Sequence, residues 1–141
     1  MKPLKQIAAL PYVETERSFL VLLITSRSMV RWTIPKGWPK PRLSNAELAA
    51  REAFEEAGVA GQVSRQPMSS FVYTKRLHLV SWIRCRVEVY LLHAKRQHPS
   101  WPEKESRRFM WVGPSKVATL VREPQLAGVL REFDRSTQST A

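Results

Sequence analysis

Three carboxylates, Glu52, Glu55 and Glu56, lie within five residues of one another. A helix advances about 100° per residue, so positions three and four apart project from one face and the three acids meet there. Like charges at that spacing repel, by roughly a few tenths of a kcal/mol per pair. A divalent cation in front of the face turns the repulsion into a binding site. A solvated acidic stripe is the competing interpretation of three glutamates taken alone.

The helix that must position them is well marked. Ser44 followed by Glu47 forms a capping box at its start, and Gly58 suits the left-handed position just past its end. Ala46, Ala49, Ala50, Ala53, Phe54 and Ala57 form the opposite face, small enough to lie close against a sheet. Arg51 stands four residues from both Glu47 and Glu55 and can pair with either.

The order Gly37, Arg51, Glu52, Glu55, Glu56, Gly58, Val59 resembles, without a gap, the signature of the Nudix hydrolases, G-x5-E-x7-R-E-U-x-E-E-x-G-U with U aliphatic. Two positions depart from it: Leu43 stands where the first glutamate belongs, and Ala53 replaces a bulkier aliphatic residue. Glu47, one turn before Arg51, is expected to take over the support of the arginine.

The resemblance implies an α/β fold, the Nudix α/β/α sandwich with a mixed central β-sheet and the catalytic helix after a glycine-containing loop. It implies Mg2+ or Mn2+ held by Glu52, Glu55, Glu56 and the Gly37 carbonyl. Water would attack a pyrophosphate linkage, with the general base left open between Glu52, Glu56 and Glu103. Arg51 would orient the acidic face.

The resemblance also implies a further glutamate brought to the metal cluster from a loop, for which Glu103 is the first choice and Glu105 the second, against a plain exposed loop carboxylate. The stretches PKGW, LSNAE, FVYTKR and WPEK resemble the bacterial branch near the diphosphoinositol polyphosphate and dinucleoside polyphosphate hydrolases, over residues 5 to 133.

The remaining sequence bounds the setting. With 141 residues, 43 % hydrophobic and 25 % charged, the chain suits one domain, 1–141, with a polar tail at 135–141. Cys85 is the single cysteine, which excludes a disulfide framework or a thiolate zinc cluster. No apolar run reaches membrane-span length and the first ten residues lack a signal-peptide core, so a cytoplasmic protein without a membrane partner is expected. Nothing in the sequence separates a monomer from a homodimer.

A net charge of +11 raises the local concentration of polyanions. A heavily phosphorylated small molecule is the favoured partner and nucleic acid the alternative. Lys36, Lys40 and Arg42, on the proline-stiffened loop before the helix, sit where a phosphate chain could be met or face solvent as loop cations, and Lys36, Arg42 and Lys75, the last on the strand FVYTKR, are expected to bind substrate. In VSWIRCRVEVYLL, Ile83, Cys85, Val87, Val89 and Leu91 alternate with Trp82, Arg84, Arg86, Glu88 and Tyr90. That polar face is either open to solvent or lines a pocket, where Arg84 and Arg86, flanked by aromatics, would bind the phosphates of the substrate. The alternative function is a catalytically weak module that reads RNA or another polyanion through Arg84, Arg86, Lys75, Trp82 and Trp38.

The element order expected is a short strand at 6–10, a connection at 11–17, a buried strand at 19–25 and an extended piece at 31–34. After the helix come a hairpin at 71–76 and 80–92, a loop at 93–108, a closing strand at 109–112 and helices near 115–121 and 124–133.

Overall fold

The structure is a computed structural model, and it describes residues 2–29 and 31–138, the last of these by its backbone alone. Eight strands form one sheet: β1 (Leu4–Glu14), β2 (Phe19–Thr25), β3 (Trp32–Thr33), β4 (Lys36–Gly37), β5 (Val59–Val63), β6 (Ser69–His78), β7 (Ser81–Gln97) and β8 (Phe109–Val112). The helices are α1 (Asn45–Ala57), α2 (Pro114–Leu120) and α3 (Pro124–Gln138), with a short 3-10 turn at Lys104–Ser106.

The sheet is mixed because β1 runs parallel to β7, whereas β1 is antiparallel to β2 and β4, and β5 and β6 are antiparallel to β7. Residues alternate between its faces. On one face Ile7, Ala9, Leu22, Ile24 and Leu92 pack against Leu48, Ala49, Ala53 and Ala57 of α1. On the other, Ala8, Leu10, Val21, Leu23, Val87 and Val89 pack against Val117, Leu126, Leu130 and Phe133 of α2 and α3. Helices cover both faces, so the expected α/β/α sandwich is the fold. Among the described residues no helix is long and apolar enough to cross a membrane.

Three strands are longer than their sequences suggest, and β6 exceeds the expected 71–76 by two residues at each end. β1 continues through Pro11, which sits where one of its edges passes from β4, paired at Ile7 and Ala8, to β2, paired from Tyr12 onward. A proline costs no ladder bond in that gap. β7 runs on to Gln97 instead of ending at Leu92, because β5 pairs with its far half. The loop expected from His93 therefore starts five residues later. The tail expected from Arg135 continues α3 to Gln138, and residues 139–141 lie outside the described residues.

The hand-over along β1 positions the site. It leaves room for β4 to pair with β1 and then lead, through the turn at Lys40–Leu43, into the start of α1. The start of α1 is fixed by the expected box: Glu47 N–H donates to Ser44 Oγ at 3.1 Å, and Ser44 N–H donates to Glu47 Oε1 at 2.9 Å. Its end is fixed by Gly58 at φ 72°, whose N–H donates to the carbonyl of Phe54. An added Cβ at Gly58 would lie 2.1 Å from the Trp101 ring, so shape as well as φ demands glycine.

Candidate active site

Gly37 pairs with Ile7, whose side chain belongs to the core on the α1 face. A Cβ on Gly37 would meet Glu52 Oε1 at 2.4 Å. Close approach of the carboxylate is therefore the reason for this glycine. Glu52 and Glu56, one turn apart, are each 6 % exposed, and they join Leu48, Ala49, Ala53 and Ala57 among the buried residues of α1.

The division of α1 into an acidic and an apolar face is thus less clean than expected. Two of the acids share the buried side, whereas Phe54 lies partly open and packs edge-on against His98 at 5.1 Å. Glu55 turns away to accept from Arg51 Nε at 2.9 Å.

The expected support of Arg51 by Glu47 is corrected. The Glu47 carboxylate is occupied by the Ser44 backbone, which holds its pKa below the usual value. Arg51 rests on Glu55 alone among the ion pairs of the described residues. Leu43 packs against the α1 core and presents no polar group at the first glutamate position of the signature.

Burial, reinforced by a hydrogen bond with Glu52, pushes the Glu56 carboxyl up to about 8, and Arg107 opposes the shift. Around this pair the cations stand off. Lys40 Nζ is 4.0 Å from Glu52, and Arg107 is 3.8 Å from Glu56. The Lys36 N–H donates to Glu56 at 3.4 Å. The Lys36 side chain donates to Thr33 Oγ1 at 3.1 Å and lies 5.3 Å from the centre of the Tyr73 ring. Burial lowers its pKa to about 8, offset in part by Glu56 and Glu123.

Glu103 lines the same cavity as Glu52, Glu55 and Glu56, and the route that brings it there is visible. Its N–H donates to the Glu55 carbonyl at 3.0 Å, fastening the loop to the end of α1. Arg107 then joins loop to helix: Nε donates to Glu103 at 2.9 Å, Nη1 donates to the Thr25 carbonyl at 3.0 Å, and Nη2 faces Glu56. Glu105 is exposed and lies away from the cavity.

Sequence reasoning missed the role of Arg107. Its spacing of four from Glu103 was the available signal, but a loop hides such a spacing.

A cavity of about 880 Å³ opens in front of these groups. Glu52, Glu55, Glu56 and Glu103 line it together with Gly37, Trp38, Lys36, Lys40, Lys75, Arg27 and Arg31. Lys75 Nζ stands 6.0 Å from the centre of the Trp38 ring.

Three expected phosphate contacts are corrected. Arg42 is an exposed residue at φ 70° in the turn before α1, outside the cavity lining. Arg84 and Arg86 are also outside it. They pair with Thr74 and Val72, whereas Lys75 is paired with Ile83, so the two arginines lie on the sheet face opposite Lys75. The cavity takes Lys75 from one face of the hairpin and Thr74 and Arg76 from the other, but stops short of Arg84 and Arg86.

The donor set suits a hard divalent cation. Mg2+ and Mn2+ take carboxylate and carbonyl oxygens, and Glu52 and Glu56 offer two touching, buried carboxylates beside the Gly37 backbone. A cation would offset the burial and the Glu52 contact that raise Glu56. Among the described residues no three such groups converge as they stand, since Glu55 is held by Arg51 and Glu103 by Arg107.

Comparison with known proteins agrees with this geometry. No family model matches the chain. Nudix hydrolase 16, mitochondrial, of Arabidopsis thaliana is 30 % identical over 122 residues, covering 84 % of this chain and 67 % of the relative. Nudix hydrolase 13, mitochondrial, of the same plant is 28 % identical over 128 residues, covering 87 % of this chain. The chain spans only 63 % of that protein's length.

Bis(5'-nucleosyl)-tetraphosphatase [asymmetrical] of Sus scrofa is 29 % identical over 126 residues, covering 87 % of this chain and 83 % of the relative. In three dimensions, a C. elegans Ap4A hydrolase binary complex superposes with a TM-score of 0.71 at 17 % identity, covering 96 % and 98 % of the two chains. A shared sheet topology with helices on both faces, and kinship along most of the sequence, place this chain in the Nudix hydrolase family.

Proposed function

We propose that the protein hydrolyses a pyrophosphate linkage in a heavily phosphorylated small molecule, with a dinucleoside polyphosphate or a diphosphoinositol polyphosphate favoured and Mg2+ or Mn2+ required. The observation that carries this is the buried Glu52–Glu56 pair behind Gly37, facing a cavity rimmed by lysine and arginine. Kinship with the porcine tetraphosphatase supports the first substrate class.

Each group has a task in that reaction. A pyrophosphate resists water because its oxygens repel nucleophiles, so charge must be neutralised and water presented in line. Glu52, Glu56 and the Gly37 carbonyl would hold the cation, with Glu55 and Glu103 within reach of the same space. Bound there, the cation supplies charge neutralisation and acidifies a water. Lys36, Lys40 and Lys75 neutralise the remaining phosphate charge from the cavity wall.

As the water oxygen bonds to phosphorus and the anhydride P–O bond breaks, the water's proton passes to a carboxylate. Glu52, Glu56 and Glu103 are the candidates for that base. Arg107 holds Glu103 against α1, and Arg51 holds Glu55; neither needs to touch substrate.

The whole chain, 1–141, acts as one domain in this proposal, with a cytoplasmic location. Compartment does not follow from kinship, since two of the plant relatives are named mitochondrial. The test is phosphate or nucleotide release from dinucleoside polyphosphates, diphosphoinositols, nucleotide sugars and nucleoside triphosphates, with Mg2+, Mn2+ or chelator. Chelator-sensitive release from the first two classes is expected. No release from any of them, together with salt-sensitive RNA binding, would replace the hydrolase by a polyanion-binding module.

A further inference from the structure

Four of the eight large hydrophobic side chains exposed among the described residues fall within six positions at the β6–β7 turn. Leu77 is 48 % exposed, Leu79 83 %, Val80 90 % and Trp82 58 %. Apolar groups this concentrated at the tip of a hairpin contribute nothing to the core and mark an interaction surface. They do not line the catalytic cavity, whose wall takes Thr74, Lys75 and Arg76 from the same hairpin but nothing nearer its turn.

The flanking charge identifies the partner. Cross-strand pairing puts Thr74, Arg76, Trp82 and Arg84 on one face, with Arg86 next along it, and the Arg76 guanidinium lies 5.5 Å from the centre of the Trp82 ring. The face is basic and the tip is aliphatic. We propose that this hairpin docks the protein on an anionic lipid bilayer, with Leu77, Leu79 and Val80 entering the headgroup–acyl boundary. Trp82 would lie at the interface and Arg84 and Arg86 against lipid phosphates.

Two other occupants fit less well. A second copy pairing along the outer edge of β6, where the Val72 N–H is already taken by Gln125, brings the Lys75, Arg76 and His78 of the two chains together, on chains of net charge +11. Single-stranded RNA needs aromatic platforms for its bases, and three of the four exposed groups are aliphatic, leaving Trp82 as the one aromatic at the tip. Aliphatic tips with interfacial tryptophan and adjacent arginine match the demands of a bilayer surface. Hydropathy along the sequence marks membrane spans, and a docking tip of six residues is not one, so the expectation of no membrane partner does not bear on it.

The test is sedimentation of the full chain with phosphatidylcholine vesicles, with and without about 30 % phosphatidylserine, at low and physiological salt. Binding is expected only with the anionic lipid. Leu79→Ser with Val80→Ser should weaken it by about tenfold or more, as two buried aliphatic groups are lost. Arg84→Glu with Arg86→Glu should weaken it comparably and flatten the salt dependence.

The aliphatic positions are almost fully exposed, so the fold should not notice their loss; unchanged thermal melting checks this. The assay reads lipid and not turnover, so it stands or falls apart from the hydrolase. Equal sedimentation of wild type and the Ser variant, or no binding to anionic vesicles beside tight binding of an RNA oligonucleotide, would overturn the proposal.

Discussion

Replacing Gly37 by alanine adds one methyl group at the most crowded point of the site. The new Cβ would lie 2.4 Å from Glu52 Oε1, 2.5 Å from its Cδ and 3.0 Å from its Cγ. Ordinary contact begins near 3.4 Å, so the carboxylate must retreat by about 1 Å. Glu52 cannot easily do so. It is buried, and Glu56 is in hydrogen-bond contact with it.

A displacement of about 1 Å in a catalytic group costs on the order of a hundredfold in rate, and overpacking costs about 1–3 kcal/mol in stability. The assay is kcat for a pyrophosphate substrate at saturating Mg2+, beside a denaturation curve. The expected outcome is a fall in kcat of about a hundredfold with the protein still folded. Wild-type turnover by Gly37→Ala would refute the claim that Glu52 works from the position seen here.

The other predictions address what holds the site in place. Gly58→Ala should cost about 2 kcal/mol or more, since it imposes a positive φ on alanine and drives Cβ into the Trp101 ring; urea denaturation checks it. Ser44→Ala should cost about 1 kcal/mol by the same measure. The stabilisation from ionised Glu47 is fully present above the usual glutamate pKa and is lost as pH falls through its lowered folded value. Arg107→Met should lower kcat by about tenfold to a hundredfold with KM nearly unchanged, because it releases Glu103 from the helix; Arg107→Lys should recover only part of it.

What the sequence disclosed and what it hid follow from the range of the interactions concerned. The limits of α1 are local: a capping box three residues wide and a left-handed glycine need no partner from elsewhere, and both stand where Ser44, Glu47 and Gly58 placed them. The closeness of Gly37 to the acids was legible too, through a spacing that matches a family signature.

Strand ends were not, because neighbours set them. Pro11 reads as a breaker until β4 and β2 are seen to share the edge of β1, and the far half of β7 exists as a strand because β5 pairs with it.

The same limit explains the misplaced cations. Alternation along β7 separates Arg84 and Arg86 from Cys85 and Val87 but does not say which side faces the site, and two basic residues beside aromatics looked like the functional side. The site in fact draws on Lys75, on the other face of the hairpin, and on Arg107, whose importance arises from Thr25 and Glu56, residues 82 and 51 positions away in the chain.

The most direct test of the account compares the wild type with Glu56→Gln on the best hydrolysed substrate, with Mg2+ titrated from chelator to saturation. The account predicts that wild-type turnover rises with Mg2+ from a negligible base. The variant should melt close to the wild type, since burial and the Glu52 contact already favour the neutral form of the Glu56 carboxyl and the amide is of the same size, and should turn over about a hundredfold more slowly or worse at every metal concentration. Equal turnover by the two proteins, or wild-type turnover indifferent to chelator, would contradict it.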